Sequence, residues 1–96
     1  MALLDLLGRR WALRVLWELR DGGALTFREL QASCGEISSS VLNDRVGELR
    51  DASIVTNEAG GGYRLTTEGV ELLGALAPLD AWAKRWAACA ARPRQA

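Results

Sequence analysis

The chain has 96 residues, with 12 Lys and Arg balanced by 12 Asp and Glu, 49% hydrophobic residues, two Cys and no His. Such a composition describes one small globular domain and excludes disordered and collagen-like chains. A domain of this length buries only roughly 65% of the surface that its unfolded chain exposes, so it gains from association. The lack of His removes the commonest general base. Cys34 and Cys89 show no metal-ligand spacing, so neither a disulfide framework nor a zinc site is expected, and no cofactor. The apolar stretches around Leu3 to Leu7 and Leu72 to Leu79 are too short or too interrupted to cross a bilayer of about 30 Å. Asp5, then Arg9 and Arg10 after a few apolar residues, do not fit a signal peptide, so a cytoplasmic protein without membrane contact is expected. A net charge of zero means that any case for nucleic acid rests on where charges sit.

In chain order, Ala2 to Leu7 is dense in apolar residues and stops at Gly8, which predicts a short first helix. Trp11, Val15, Leu16 and Leu19 follow the spacing of a buried helical stripe, and Asp21-Gly22-Gly23 ends this second helix. Ala24-Leu25-Thr26 reads as a brief extended piece. Thr26 with Glu29 has capping-box spacing for a third helix, with Phe27, Leu30 and Cys34 inward and Gly35 at its end. After Glu36-Ile37, the run Ser38-Ser39-Ser40 offers N-cap hydroxyls to a fourth helix. There Val41, Leu42, Val46 and Leu49 point inward, and Asn43, Asp44, Arg45, Glu48 and Arg50 mostly outward. Two helices either side of a tight turn make a helix-turn-helix.

Ile54-Val55-Thr56 and Tyr63-Arg64-Leu65-Thr66, separated by a glycine-rich segment, predict a hairpin. Thr66 or Thr67 then caps a long helix in which Leu72, Leu73, Leu76, Leu79, Trp82, Ala83 and Trp86 recur at three- and four-residue intervals. Pro78 inside that pattern predicts a kink near Ala75 or two abutting helices. The fold class is α+β and mainly helical: a winged helix-turn-helix with a two-stranded wing and terminal dimerisation helices. Residues 1–96 form a single domain, with 26–66 as helix-turn-helix and wing and the helices within 1–20 and 67–91 contributing to dimerisation.

Along that plan the chain resembles the HxlR-type winged-helix transcription regulators, which are related to the MarR regulators. The resemblance is carried by Gly8 and Trp11; by Leu16, Glu18 and Leu19 before Asp21-Gly22; by Phe27 and Leu30; and by Ile37-Ser38, Val41-Leu42, Arg45 and Glu48-Leu49. It continues through Tyr63, Leu65-Thr66, Gly69, Leu72-Leu73, Leu76, Leu79 and Trp82, and spans Leu4 to Trp86. It implies a homodimer on operator DNA, without enzymatic activity, with the fourth helix in the major groove, the wing over flanking backbone and the terminal helices at the dimer seam.

The residues support these roles separately. Ser38, Ser39 and Ser40 place hydroxyls and N–H groups where phosphate can bind. Asn43 suits adenine, and Arg45 suits guanine or phosphate; Asp44 shares their face, and Arg28 and Arg64 are the nearest further cations. The plainer readings are a serine cap and an Arg45 paired with Glu48 or Glu29. Similar proteins commonly carry basic residues where this chain has Ser40 and Gly47, and a glycine where it has Ser53. Over residues 38–66, three arginines face four acids, a net of −1. Few cations predict weak binding with a shallow salt dependence unless dimerisation doubles the contacts. Lys84, Arg85, Arg92 and Arg94 are read as solubilising charges near the helix C-terminus.

Trp11, Trp17, Trp82 and Trp86 cannot all enter so small a core. Leu3, Leu6, Leu7, Leu76, Leu79, Trp82 and Trp86 are expected to pack across a two-fold axis. A small apolar effector between subunits is the sharper alternative, suggested by MarR relatives. Some similar regulators sense oxidants through a cysteine ahead of the first helix, where this sequence has none. Cys34 is expected buried and Cys89 exposed. The favoured function is a sequence-specific transcription regulator acting on double-stranded DNA, as a repressor. The alternative is a winged-helix protein-interaction module with weak or no DNA binding. No phosphate loop, nucleophile elbow or metal cluster supports an enzyme.

Overall fold

The computed structural model describes residues 2–90, so Arg92 and Arg94 lie outside the described residues. Its elements are α1 (Ala2–Leu7), α2 (Ala12–Glu18), α3 (Phe27–Cys34), α4 (Ser39–Asp51), β1 (Val55–Asn57), β2 (Tyr63–Leu65) and α5 (Thr67–Ala90). This is the winged helix-turn-helix order read from the sequence. No helix is long and apolar enough to cross a membrane.

The apolar stripes converge on one core. Val15, Leu16 and Leu19, Leu30 and Cys34, and Leu42, Val46 and Leu49 are buried together with Ile37, Ile54, Val55 and Leu65. Each fully buried leucine contributes about 1.5–3 kcal/mol relative to exposure. Leu7, expected at the seam between subunits, belongs instead to this core of its own chain. The first helix is apolar on most of its surface, so spacing could not tell which leucine turns inward.

Local chemistry sets the helix ends. Thr26 and Glu29 form the expected capping box: Glu29 N–H donates to Thr26 Oγ1 at 3.1 Å, and Thr26 N–H to Glu29 Oε1 at 2.9 Å. The Thr26 backbone N–H, and then its hydroxyl, hold the Glu29 carboxyl below its usual range. Gly35 leaves α3 with φ 85°. Ser38 Oγ accepts from Val41 N–H at 3.2 Å to open α4. Gln31 Nε2 spans the turn between these helices, donating to the Ile37 carbonyl and to Ser39 Oγ.

The wing is a short antiparallel pair with Val55 opposite Leu65 and Asn57 opposite Tyr63. Leu25 adds a bridge to Tyr63, the extended piece expected before α3. Where β2 passes this bridge, Gly62 has φ 93°, and a Cβ on it would stand 2.9 Å from the Leu25 carbonyl oxygen.

Thr66 caps α5. Its Oγ1 accepts from Gly69 N–H at 3.0 Å and donates to the Ser53 carbonyl at 2.6 Å. A Cβ on Gly69 would lie 2.3 Å from the Ile54 carbonyl oxygen, so only glycine lets the helix pack this closely. Ser53 turns the chain out of α4 with φ 63°, a left-handed conformation that glycine adopts without strain. Thr67–Ala90 is one helix with Pro78 inside it, which corrects the reading of two abutting helices. The Gly74 carbonyl that loses its donor is on an exposed turn, where water can serve it.

Two substitutions at the α4–wing–α5 junction are expected to act in opposite directions in urea unfolding. Ser53→Gly should raise stability by about 1 kcal/mol through relief of the left-handed residue, and Gly69→Ala should lower it by about 2–3 kcal/mol through overpacking. A neutral Gly69→Ala would contradict the close approach. A second expectation concerns the thiols. Cys34 is buried and Cys89 exposed; burial, then the neighbouring Glu18 charge, push the Cys34 thiol up against the opposing pull of Arg14. Ellman's reagent should therefore find one fast thiol in the native protein, abolished by Cys89→Ser, and the second only in denaturant.

Candidate nucleic-acid interface and dimer seam

Helix α4 divides into two faces. Leu42, Val46 and Leu49 face the core, and Ser39, Ser40, Asn43, Asp44, Arg50 and Asp51 are exposed. The exposed row begins at the helix N-terminus, where unpaired N–H groups favour anions. Of the three serines, Ser38 is the cap, Ser39 accepts from Gln31, and Ser40 Oγ lies 3.5 Å from Ser38 Oγ. The capping reading of the triplet therefore holds for Ser38, while Ser39 and Ser40 stay on the surface. Asn43 and Asp44 sit one turn further along, and neither side chain is engaged among the described residues.

The arginines differ in freedom. Arg28 is exposed on α3 and makes no hydrogen bond or ion pair among the described residues. Arg64 on β2 pairs with Glu58 at the wing tip, and Arg50 donates to Asn57 Oδ1 at 3.2 Å. Arg45, like its partner Glu48, departs from the expected outward set. Its side chain is only 15% exposed and pairs with Glu48, one of the two partners its spacing allowed. Its Nε also donates to the Arg10 carbonyl at 2.9 Å. Arg9, which no spacing in the sequence singles out, completes the group at 3.1 Å from Glu48. The Arg45–Glu48 part is visible as an i, i+3 spacing; the part contributed by residues 9 and 10 is not.

The terminal helices carry the apolar surface. Leu6, Leu72 and Leu73 pack against the core, whereas Leu3, Leu79, Trp82 and Trp86 are exposed. Trp82 and Trp86 stack at 6.1 Å between ring centroids, with an interplanar angle of 9°. They are 52% and 59% exposed, too much apolar surface for stacking alone to shelter. Beside them an apolar groove of about 510 Å³ runs between α2 and α5, lined by Leu13, Trp17, Leu73, Leu76 and Leu79. Trp17 lies outside the core, as its position opposite the buried stripe required, with the Arg20 guanidinium 4.3 Å over its ring. The far half of α5 extends beyond the body of the domain, whose long axis is 57 Å against 27 and 25 Å.

Comparison with known proteins agrees with this fold. The family model described as HxlR-like helix-turn-helix matches residues 6–90. An HTH-type transcriptional regulator of Bacillus subtilis, YvaP, is 28% identical over 89 residues, covering 86% of this chain and 82% of that protein. The quinone-bound structure of B. subtilis YodB superposes with a TM-score of 0.81 at 31% identity, over 88% of this chain and 93% of that one. A regulator of the MarR family from Enterococcus faecalis gives a TM-score of 0.81 at 30% identity, over 94% and 86% of the two chains. These relatives are transcriptional regulators rather than enzymes. With the match extending over nearly all of the described residues, the chain belongs to the HxlR-like helix-turn-helix family of DNA-binding transcriptional regulators.

Proposed function

We propose that the protein is a homodimeric, sequence-specific repressor of the cytoplasm that lays α4 in the major groove of operator DNA. The observation that carries this reading is the exposed row Ser40, Asn43 and Asp44 behind a helix N-terminus, with Arg28 and the wing's Arg64 on neighbouring elements. Ser38, Ser39 and Ser40 present the helix end to phosphate. Asn43 pairs with the N6 and N7 edge of adenine, and Asp44 accepts from a cytosine amine. Arg28 and Arg64 contact phosphates and fix the register.

The seam brings Leu3, Leu6, Leu76, Leu79, Trp82 and Trp86 of two copies together about a two-fold axis. Exposed leucines and tryptophans on an α5 that outruns its own domain support this assignment. A small apolar effector is the second reading, favoured by the groove between α2 and α5 and by the quinone-bound form of YodB. An unchanged tryptophan emission during titration with benzoquinone would weigh against it.

A gel shift on DNA flanking the protein's own gene, at two salt concentrations, tests the DNA reading. Asn43→Ala should cost about 1–3 kcal/mol on the operator and little on random duplex. Arg28→Ala should weaken both and reduce the salt slope by about 0.9 for each phosphate no longer neutralised. Glu58→Gln should strengthen binding, because it frees Arg64. No shift even at low salt would favour a protein-interaction module. For the seam, Trp82→Lys with Trp86→Lys should turn a dimer into a monomer in sedimentation; an unchanged mass would place the interface elsewhere.

A further inference from the structure

The reading helix carries a charged cluster on the flank turned away from its exposed row. Arg45 Nε donates to the Arg10 carbonyl at 2.9 Å, and its terminal nitrogen pairs with Glu48 Oε1. Glu48 Oε2 is shielded from solvent and accepts no hydrogen bond, and its neighbour is Arg9 Nε at 3.1 Å. A carboxylate with one oxygen shielded from water in this way depends on its cations more than a fully solvated one does. The Arg10 carbonyl directly precedes Trp11, which opens α2 with φ 75° and no side-chain cap. A bulky residue in the left-handed region is strained and persists only where its surroundings hold it. Trp11 packs against the core, and the group that fixes the carbonyl before it comes from α4, 35 residues further along the chain.

We infer that Arg45 and Glu48 are positioning residues: they clamp the α1–α2 loop onto α4, and so set the angle between the reading helix and α1, without touching DNA themselves. This rests on α4 being the reading helix. The two obvious alternatives predict different behaviour. An Arg45 that neutralises phosphate contributes to the salt dependence of binding, and a Glu48 that is merely a solvated acid near DNA opposes binding. A clamp does neither. Lysine at position 45 keeps the charge, but its single ammonium lacks the separate nitrogens with which the guanidinium holds both the Arg10 carbonyl and Glu48.

The test uses the full chain, a duplex from the DNA flanking its own gene, and a random duplex of equal length. Hydrogen exchange is followed in parallel at the Arg9 and Ala12 amides, which are bonded to the Leu6 and Arg9 carbonyls. With a clamp, Glu48→Gln and Arg45→Lys both weaken operator binding about tenfold at an unchanged salt slope. Exchange rises at Arg9 and Ala12 while the α3 and α4 amides keep their protection, a local response that a general loss of stability would not produce. The inference is overturned if Glu48→Gln strengthens binding, if Arg45→Lys binds as the wild type does, if Arg45→Ala lowers the salt slope, or if exchange at Arg9 and Ala12 stays unaltered. Failure of the wild type to bind either duplex would remove the DNA reading and with it the role assigned to the clamp, while the exchange measurement would still decide whether the loop is held.

Discussion

The Ile54 carbonyl is the point on which the layout of the domain turns. It accepts from the Thr66 N–H at 3.0 Å, lies 3.1 Å from the Thr66 hydroxyl, and is approached so closely by Gly69 that no side chain fits between. On the other side of the same residue, Ile54 N–H donates to the Leu49 carbonyl at the end of α4. One short segment therefore joins the last turn of α4, the first strand of the wing and the first turn of α5. The direction in which α5 leaves the body, and hence the placement of Trp82 and Trp86, follows from this contact together with the packing of Leu72 and Leu73 on the core.

A second tie orients the other end of the wing. Leu25 and Tyr63 exchange backbone hydrogen bonds of 2.9 and 2.7 Å, so the entry to α3 and the return strand of the wing move together. The hairpin has only three residues in each strand. A two-stranded ribbon that short is marginal in water. Its stability comes from Val55 and Leu65 in the core and from the Leu25 bridge.

How much of this is legible in the sequence depends on distance along the chain. The capping box at Thr26, the Ser38 cap and the Gly35 stop are read correctly because each rests on chemistry between residues at most three apart. The inward rows of α2, α3 and α4 are legible because burial and helical periodicity agree. Leu7 is misplaced because a short helix bearing Leu3, Leu4, Leu6 and Leu7 has no polar face to orient it. Ser53 is noticed only as a departure from similar proteins, and its positive φ supplies the reason. Arg45 shows the boundary most clearly: its pairing with Glu48 is one turn away and foreseeable, but the Arg10 carbonyl and Arg9 belong to a loop that only the tertiary fold brings near. The face-up residues Asn43 and Asp44 are legible as exposed, and what they meet is a matter of partner rather than of fold.

The zero net charge takes on a meaning once the pairs are known. Arg9 and Arg45 meet Glu48, Arg14 meets Glu18, Arg64 meets Glu58, and Lys84 meets Asp80. Most of these pairs are exposed and each is worth little to stability. Their larger effect is on the field around the molecule, since a cation answered by an acid on its own chain releases few counterions from DNA. Non-specific affinity, which scales with the number of phosphates neutralised, is thereby kept low. A hydrogen bond from a side-chain amide to a base edge does not depend on that neutralisation, because an amide reads adenine by geometry rather than by charge. Since a regulator is judged by the ratio of specific to non-specific binding across very many competing sites, a charge balance that lowers attraction to phosphate without removing exposed polar side chains shifts that ratio toward selectivity.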